Sequence, residues 1–322
     1  MIGTNHDANR SDPIRRKIEM LGTSLSLPTV RKALGVLEGE HASQRRGGVD
    51  ELMDIRVYEP GDEARHIDWR TSARVGRPMV VQRERPSTSR VWLLLDVGRE
   101  MTGSCPSGEP AYEVAANALR MFAALSLRRS DDVSLVFGDA ASITRVPFNG
   151  GFAQFERTLD QALQRSWDRP RNIDALLDYA RRIRDRQALI VLATDEHALR
   201  QRHLEAIRRL AQTHPMVFID VATLNPFDSR TGRNCPVYDG TSRRAVPAFL
   251  SNARSRDEVA THRAYLAAAL NRELTRCGSH MIRSDSSAAM FEAFVRLVSV
   301  TLARLGRNQL RSAAMPELRI GG

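Results

Sequence analysis

Two short apolar runs that each end on an aspartate constrain the fold of this chain more than any other feature. Val91 to Leu95 leads into Asp96, and Ala188 to Thr194 leads into Asp195. Apolar runs of this length are typical of strands that are buried on both faces, and the acid then lies at the carboxyl end of the strand. Ligands of open α/β sheets bind at that edge. The pair of acids therefore indicates a polar site and raises the hypothesis of a bound metal ion.

Helix and strand patterns alternate downstream of Asp96. Helix patterns cover 111–128, 152–164, 173–184, 199–212, 258–277 and 288–305, and further strand patterns cover 132–137, 142–147, 215–221 and 280–284. This alternation predicts a parallel sheet with right-handed crossovers. If the strand order is the doubly wound 3-2-1-4-5-6, Asp96 and Asp195 lie across one crevice. Residues 223–256 interrupt the pattern with prolines, glycines and paired arginines, which predicts an irregular insertion.

A dense polar segment precedes the first of these strands. Pro60-Gly61-Asp62 predicts a tight turn, because proline presets one backbone angle and glycine permits the other. Arginines, an acid and an indole follow closely, at Arg65, Asp68, Trp69 and Arg74. Such groups can form charge-assisted hydrogen bonds around an aromatic anchor. One interpretation is a buried Asp/Arg brace with Trp69 packed in a core, and the other is a partner-binding surface.

The order of residues in this segment carries a family resemblance. It reads Arg56-Val-Tyr58-Glu-Pro60-Gly61-Asp62, then Arg65-His-Ile67-Asp68-Trp69 and Ser72-Ala73-Arg74, followed by Glu84 and Leu94-Leu95-Asp96. The segment resembles the bacterial domain of unknown function 58, a family that joins this signature to a von Willebrand factor A-like domain. We therefore expect an α/β fold with a doubly wound, mainly parallel sheet. The expected parts are a helical extension (1–39), the signature segment (40–89), the von Willebrand factor A-like domain (90–306) and a tail (307–322).

The resemblance also implies a degenerate metal-ion-dependent adhesion site. Domains of the von Willebrand factor A type often hold a divalent cation with a DxSxS loop, a threonine on a second loop and an aspartate after the fourth strand. Here Gly98 and Glu100 occupy the two serine positions, and Asn172 stands where the threonine is expected. The candidate ligands for Mg²⁺ are the oxygens of Asp96, Glu100 and Asp195. Arg99 and the loss of both hydroxyls argue against binding.

Composition narrows the classes of function. The formal charge is +10, but the basic residues, nearly all arginine, are interleaved with 38 acids, and aromatic content is 6%. No stripe of basic and stacking residues is present, so we do not expect nucleic acid as a partner. The sequence has no apolar run long enough to span a membrane and no signal-peptide core. Three cysteines without CxxC spacing are typical of a reducing compartment, so we expect a cytoplasmic protein.

The motifs of common enzymes are missing from the sequence, which has neither a nucleophile elbow nor a phosphate-binding loop. We therefore expect a non-enzymatic binding or adaptor module. Members of the resembled family commonly accompany MoxR-type AAA+ ATPases, so the resemblance implies such an ATPase, or a client that it remodels, as the partner. The crevice at Asp96 and Asp195 is the expected recognition site. The alternative is a divalent-cation-dependent hydrolase with Asp96, Glu100 and Asp195 as ligands and His197 as base.

Overall fold

The computed structural model of this protein describes residues 13–24, 52–58, 67–83, 90–127, 131–228, 237–240 and 242–299. The chain divides into a smaller unit, Leu37–Thr88, and a larger one, Met1–Val36 with Ser89–Gly322. The strands are β1 (Leu52–Val57), β2 (Met79–Arg83), β3 (Arg90–Asp96), β4 (Asp132–Gly138), β5 (Ile143–Val146), β6 (Leu189–Asp195), β7 (Met216–Val221) and β8 (His280–Ser284). The helices are α1 (Pro13–Ser24), α2 (Trp69–Val75), α3 (Ala111–Leu127), α4 (Phe152–Leu163), α5 (Ile173–Arg181), α6 (His203–Thr213), α7 (Ala253–Arg276) and α8 (287–299).

The larger unit is organised around one six-stranded sheet. Its strands lie in the order β5-β4-β3-β6-β7-β8. Neighbouring strands are parallel, apart from β5, which forms an antiparallel hairpin with β4. Counted from β3, this is the predicted order 3-2-1-4-5-6. The predicted fold class, α/β with a doubly wound and mainly parallel sheet, is confirmed.

Helices cover both faces of this sheet, because alternate side chains of a strand point to opposite sides. Leu93 and Leu95 of β3 belong to a core cluster that includes side chains of α1, α3, α4 and α8. Leu94, between them, belongs to a second cluster with side chains of α5, α6 and α7. Both faces of β3 are therefore apolar, which explains why its sequence is an unbroken apolar run.

A polar network holds α1 against α3 and α4 within the larger unit. Arg120 of α3 is buried, and its guanidinium donates to Asp160 of α4 and, at 2.7 Å, to the Asn117 side chain. Arg15 of α1 binds the same Asp160 through two hydrogen bonds of 2.7 and 2.9 Å. Asn117 donates to Ser287 of α8 at 2.8 Å. One carboxylate therefore pairs with two arginines from different helices.

The smaller unit pairs β1 with β2 in an antiparallel ribbon, and α2 lies between them in sequence. Asp68 caps α2, since its carboxylate accepts from the backbone N–H of Arg70 at 3.0 Å and of Thr71 at 3.1 Å. Gly76 ends the helix with φ +74°, in the left-handed region where a residue without a Cβ is unstrained. Ser72 is the buried residue of this helix.

The irregular stretch predicted at 223–256 lies between β7 and α7. It includes an isolated bridge between Tyr238 and Ala245 and a 3₁₀ turn, Ala248–Leu250. The next helix starts at Ala253, upstream of the predicted residue 258, because the Asn252 side chain accepts from the backbone N–H of Ser255 at 2.9 Å. A polar cap thus adds a turn of helix that has no apolar periodicity.

Candidate functional site

The two aspartates that the sequence singled out lie at neighbouring strand ends. The strands β3 and β6 are parallel neighbours, with Leu95 paired to Ala193, so Asp96 and Asp195 lie at the same edge of the sheet. Both side chains are buried. Thr194 donates to Asp96 at 2.7 Å, and the backbone N–H of Gly98 donates to the other oxygen of that carboxylate at 2.9 Å. The predicted convergence of the two acids is therefore what the fold produces.

Arg171 lies between these acids, and no pattern in the sequence indicates this position. Its guanidinium grips Asp195 with two hydrogen bonds, one of which, from Nη1 to Oδ1, is 2.7 Å long. Its Nε lies 3.7 Å from Asp96 Oδ2 and 3.7 Å from Glu100 Oε2. The Arg171 side chain is 14% exposed. An internal cation thus holds all three carboxylates that were predicted as metal ligands.

The first loop is shaped around the backbone of Arg171. A Cβ added to Gly98 would lie 2.5 Å from the Cβ of Arg171 and 2.6 Å from its Cα, which is closer than real side chains approach. The backbone N–H of Arg99 donates to the Arg169 carbonyl at 2.7 Å, and that of Arg171 donates to Glu100 at 2.9 Å. The residues that replace the two serines therefore join the loop after β3 to the loop before α5. Gly98 does so because it has no side chain, and Glu100 does so through its carboxylate.

The charges of this cluster determine its protonation. Burial opposes the charge on Arg171, but Asp195, Asp96 and Glu100 together raise its pKa above the usual range. Burial also opposes ionisation of Asp195, and the charge and hydrogen bonds of Arg171 outweigh it and lower the pKa of that carboxyl. The interaction of Asp96 with Arg171 does not outweigh burial, so burial and the nearby charge of Asp195 raise the pKa of Asp96 to about 6. Asp195 is thus the anion that neutralises Arg171.

The donor set does not fit a divalent cation in this arrangement. A guanidinium fills the space on which the carboxylates converge, and a bound Mg²⁺ would need that space open to oxygen ligands. Within the described part of the chain, no three His, Cys, Asp or Glu side chains are placed to hold a metal ion. The predicted site at Asp96, Glu100 and Asp195 remains a hypothesis that ion titration tests.

The other residues predicted near this crevice have local partners. Asn172, at the expected threonine position, caps α5 by accepting from the backbone N–H of Ala175 at 3.0 Å. His197 donates its backbone N–H to Asp195 at 2.8 Å, and its ring lies 2.9 Å from the Thr223 hydroxyl. Burial and the neighbouring Arg263 lower the pKa of His197, against the pull of Asp195. Its ring is thus bonded to a hydroxyl, at a half-exposed position.

A second charged cluster lies beside the first and was not predicted from the sequence. The buried carboxylate of Glu196 accepts from Arg263 at 2.9 Å, from the backbone N–H of Thr223 at 2.8 Å, and from Arg283. Arg283 also donates to Asp220. These residues come from the loop after β6, from β7, α7 and β8, and no spacing in the sequence links them. Asp220, an acid inside an apolar strand, was the one available signal.

The signature segment differs from the buried-brace interpretation. Trp69 is 70% exposed, so its packing in a core, one of the two interpretations, is wrong. Asp68 binds helix N–H groups and the Thr71 hydroxyl at 2.7 Å, and hydrogen bonds from Thr71 lower its pKa. Arg74 is exposed. Asp62 and Arg65, predicted as part of the same network, lie outside the described residues.

Comparison with known proteins agrees with the signature. The model of the family described as "Protein of unknown function DUF58" matches residues 54–230, more than half of the chain. The chain belongs to this family. Its six-stranded sheet has the doubly wound, mainly parallel order that the resemblance implied.

Relatives and solved structures similar to this DUF58 chain are distant. "Uncharacterized protein Rv1480" of Mycobacterium tuberculosis and "Uncharacterized protein Mb1516" of Mycobacterium bovis are each 24% identical over 283 residues, covering 86% of this chain and 87% of the relative. The crystal structure of the SpRpn10 VWA domain is 10% identical with a TM-score of 0.38, covering 64% of this chain and 94% of that one. An uncharacterized membrane spanning protein from Vibrio fischeri is 16% identical with a TM-score of 0.22, covering 65% and 96%. No helix in the described ranges of the present chain is long and apolar enough to cross a membrane.

Proposed function

We propose that this DUF58 protein is a non-enzymatic adaptor that binds other proteins without a metal ion. The observation that carries the proposal is the position of Arg171 between Asp96, Glu100 and Asp195. In a metal-dependent site a cation would bridge these acids to a partner carboxylate. Here the positive charge belongs to the chain itself, so the acids stabilise the loops and need no exchangeable ion. The partner that the family resemblance implies is a MoxR-type AAA+ ATPase, together with its client.

The surface for the ATPase is then the rim around the buried acids, since Asp96 and Asp195 themselves are inaccessible. Residues 237–240 reach this rim: a Cβ on Gly240 would lie 3.7 Å from the Cα of Glu100. Tyr238 of this segment is 61% exposed, and Phe249, from the next described residues 242–250, is 78% exposed. Exposed aromatic residues of this kind are the usual anchors of protein interfaces. We therefore assign ATPase binding to the aromatic rim, meaning Tyr238 and Phe249.

Binding of the purified chain to a purified MoxR-type ATPase from the same organism tests this proposal. Biolayer interferometry without nucleotide, in EDTA and in Mg²⁺, should give the same affinity, because no ion is part of the interface. The double variant Tyr238→Ala/Phe249→Ala should weaken binding by roughly tenfold or more, the range expected for interface anchors. Tyr265→Ala is the matched control, since Tyr265 is a similarly exposed aromatic residue on α7.

Three results would contradict the proposal. One is the absence of ATPase binding, and another is an equal loss of binding in the Tyr265 control. The third is binding that EDTA abolishes and that Asp195→Asn also abolishes in Mg²⁺, which would favour the cation-dependent alternative.

A further inference from the structure

The helix α2 and the turn after it present three arginines and a tryptophan to solvent. Arg70, Arg74 and Arg77 are exposed, as is Trp69. Arg70 and Arg74 are four residues apart, so they lie on one side of the helix. None of the three guanidiniums forms an ion pair with any residue in the described ranges. We call Trp69, Arg70, Arg74 and Arg77 the arginine platform.

The backbone beneath this platform is fixed. Ser72 donates its hydroxyl to the Asp68 carbonyl at 2.6 Å and accepts the backbone N–H of Met79 at 2.8 Å, which ties α2 to the start of β2. The backbone N–H of Asp68 donates to the Met79 carbonyl at 2.8 Å. A surface that is already ordered loses less entropy on binding than a flexible loop does. The arginines thus extend from a rigid base.

Among the described acids of this unit, Asp68 interacts electrostatically with Arg70 but forms no ion pair with it. The carboxylate of Asp68 is engaged with the N–H groups of α2 and with the Thr71 hydroxyl. Guanidiniums bind carboxylates through paired hydrogen bonds, and Arg and Trp are the residues most enriched at the energetic centres of interfaces. The chemistry that complements the platform is therefore a set of carboxylates next to an apolar side chain.

We infer that the arginine platform binds an acidic segment of a partner protein. Carboxylates of the segment pair with Arg70, Arg74 and Arg77, and an apolar side chain packs on Trp69. A nucleic acid fits less well, because the sequence of residues 37–88 has ten acids and nine arginines and so lacks an extended positive field. Under the proposed function the segment belongs to the client, and only this identification rests on that proposal.

Fluorescence anisotropy on the full chain tests the inference. The probe is a labelled peptide of glutamates and aspartates around a central leucine, compared with its glutamine and asparagine counterpart and with a single-stranded oligonucleotide. The acidic peptide should bind, and Arg70→Glu/Arg74→Glu should weaken binding by about tenfold or more, as for the loss of charge pairs at an interface. Trp69→Ala should weaken it several-fold. Arg272→Glu is the matched control, because Arg272 is exposed on α7 and in no ion pair within the described residues.

The inference fails if the wild-type chain does not bind the acidic peptide, or if Arg272→Glu weakens binding as much as the double variant. It also fails if the oligonucleotide binds more tightly than the peptide and the double variant loses that binding. Arg70→Gln/Arg74→Gln replaces the charge reversal if circular dichroism shows that the latter unfolds. The ATPase assay separates the two proposals: ATPase binding without peptide binding overturns only this inference, and peptide binding without ATPase binding overturns only the proposed function.

Discussion

Gly98 and Arg171 approach so closely that a Cβ on Gly98 would lie 2.5 Å from the Cβ of Arg171. By the resemblance to von Willebrand factor A-like domains, Gly98 stands at the first serine position of their metal-binding loop. Arg171, from the loop before α5, supplies the positive charge at the same place. The loss of the serine and the internal cation are therefore parts of one arrangement, since the serine side chain and the Arg171 backbone exclude each other.

The substitution Gly98→Ser should therefore destabilise the protein, although it restores a family ligand. Forcing a side chain into filled space costs about 1–3 kcal/mol. Gly151→Ser is the control, because Gly151 has open space around its Cα and caps α4, where serine is favoured. Urea unfolding should show a loss for Gly98→Ser and no loss for Gly151→Ser. Equal stability of the two variants would mean that the loops are not packed as described.

The raised pKa of Asp96 predicts a pH-dependent effect of Asp96→Asn. The folded state holds a proton on Asp96 up to pH about 6, whereas an unfolded aspartate releases it near its usual pKa of 3.8. Burying the charge therefore costs stability increasingly as the pH rises through this window, by up to roughly 3 kcal/mol. The cost is absent below pH 3.8 and complete above about 6.

The neutral Asn variant avoids that cost. Asp96→Asn should therefore gain stability relative to the wild type as the pH rises from about 4 to about 6, the window spanned by the two pKa values. Urea unfolding of both proteins at a series of pH values measures this difference. A difference that stays constant across the window, or that shrinks as the pH rises, would contradict the assignment of a buried, poorly compensated carboxylate.

More of the fold than of the site could be predicted from the sequence, because the patterns that indicate strands and helices are formed by residues close together in the chain. Apolar runs that end at Asp96 and Asp195 predict two buried parallel strands, and the alternation of elements predicts that these strands are neighbours. Arg171 carries no such signal, because a single loop arginine in an arginine-rich chain has neither periodicity nor spacing. Trp69 gives a sequence signal that is wrong for this position. Large aromatic residues are highly buried on average, which favoured a core position, but the capped helix α2 presents Trp69 to solvent.

The partly buried carboxylate of Asp160 predicts a strong effect on the attachment of α1. Asp160→Ala removes a carboxylate that pairs with Arg120, which is fully buried, and with Arg15. Leaving a buried charge unpaired costs about 3–5 kcal/mol. Hydrogen exchange in α1 should rise sharply in this variant. Asp178→Ala, which removes an exposed partner of Arg181, should leave exchange and stability nearly unchanged.

Removal of Arg171 tests the central claim, which is that an internal guanidinium takes the place of a metal ion. Arg171→Ala leaves two buried acids and Glu100 without their cation, so it should cost about 3–5 kcal/mol. Added Mn²⁺ should restore part of that stability, because the vacated space is then lined by carboxylate oxygens. Arg272→Ala serves as the exposed arginine control.

Calorimetric titration of Mg²⁺, Mn²⁺ and Ca²⁺ into the wild type and Arg171→Ala is the most direct measurement. We expect no ion binding and an unchanged melting temperature for the wild type, and ion binding with a raised melting temperature for the variant. Tight binding of any of these ions to the wild-type chain that Asp195→Asn abolishes would contradict it.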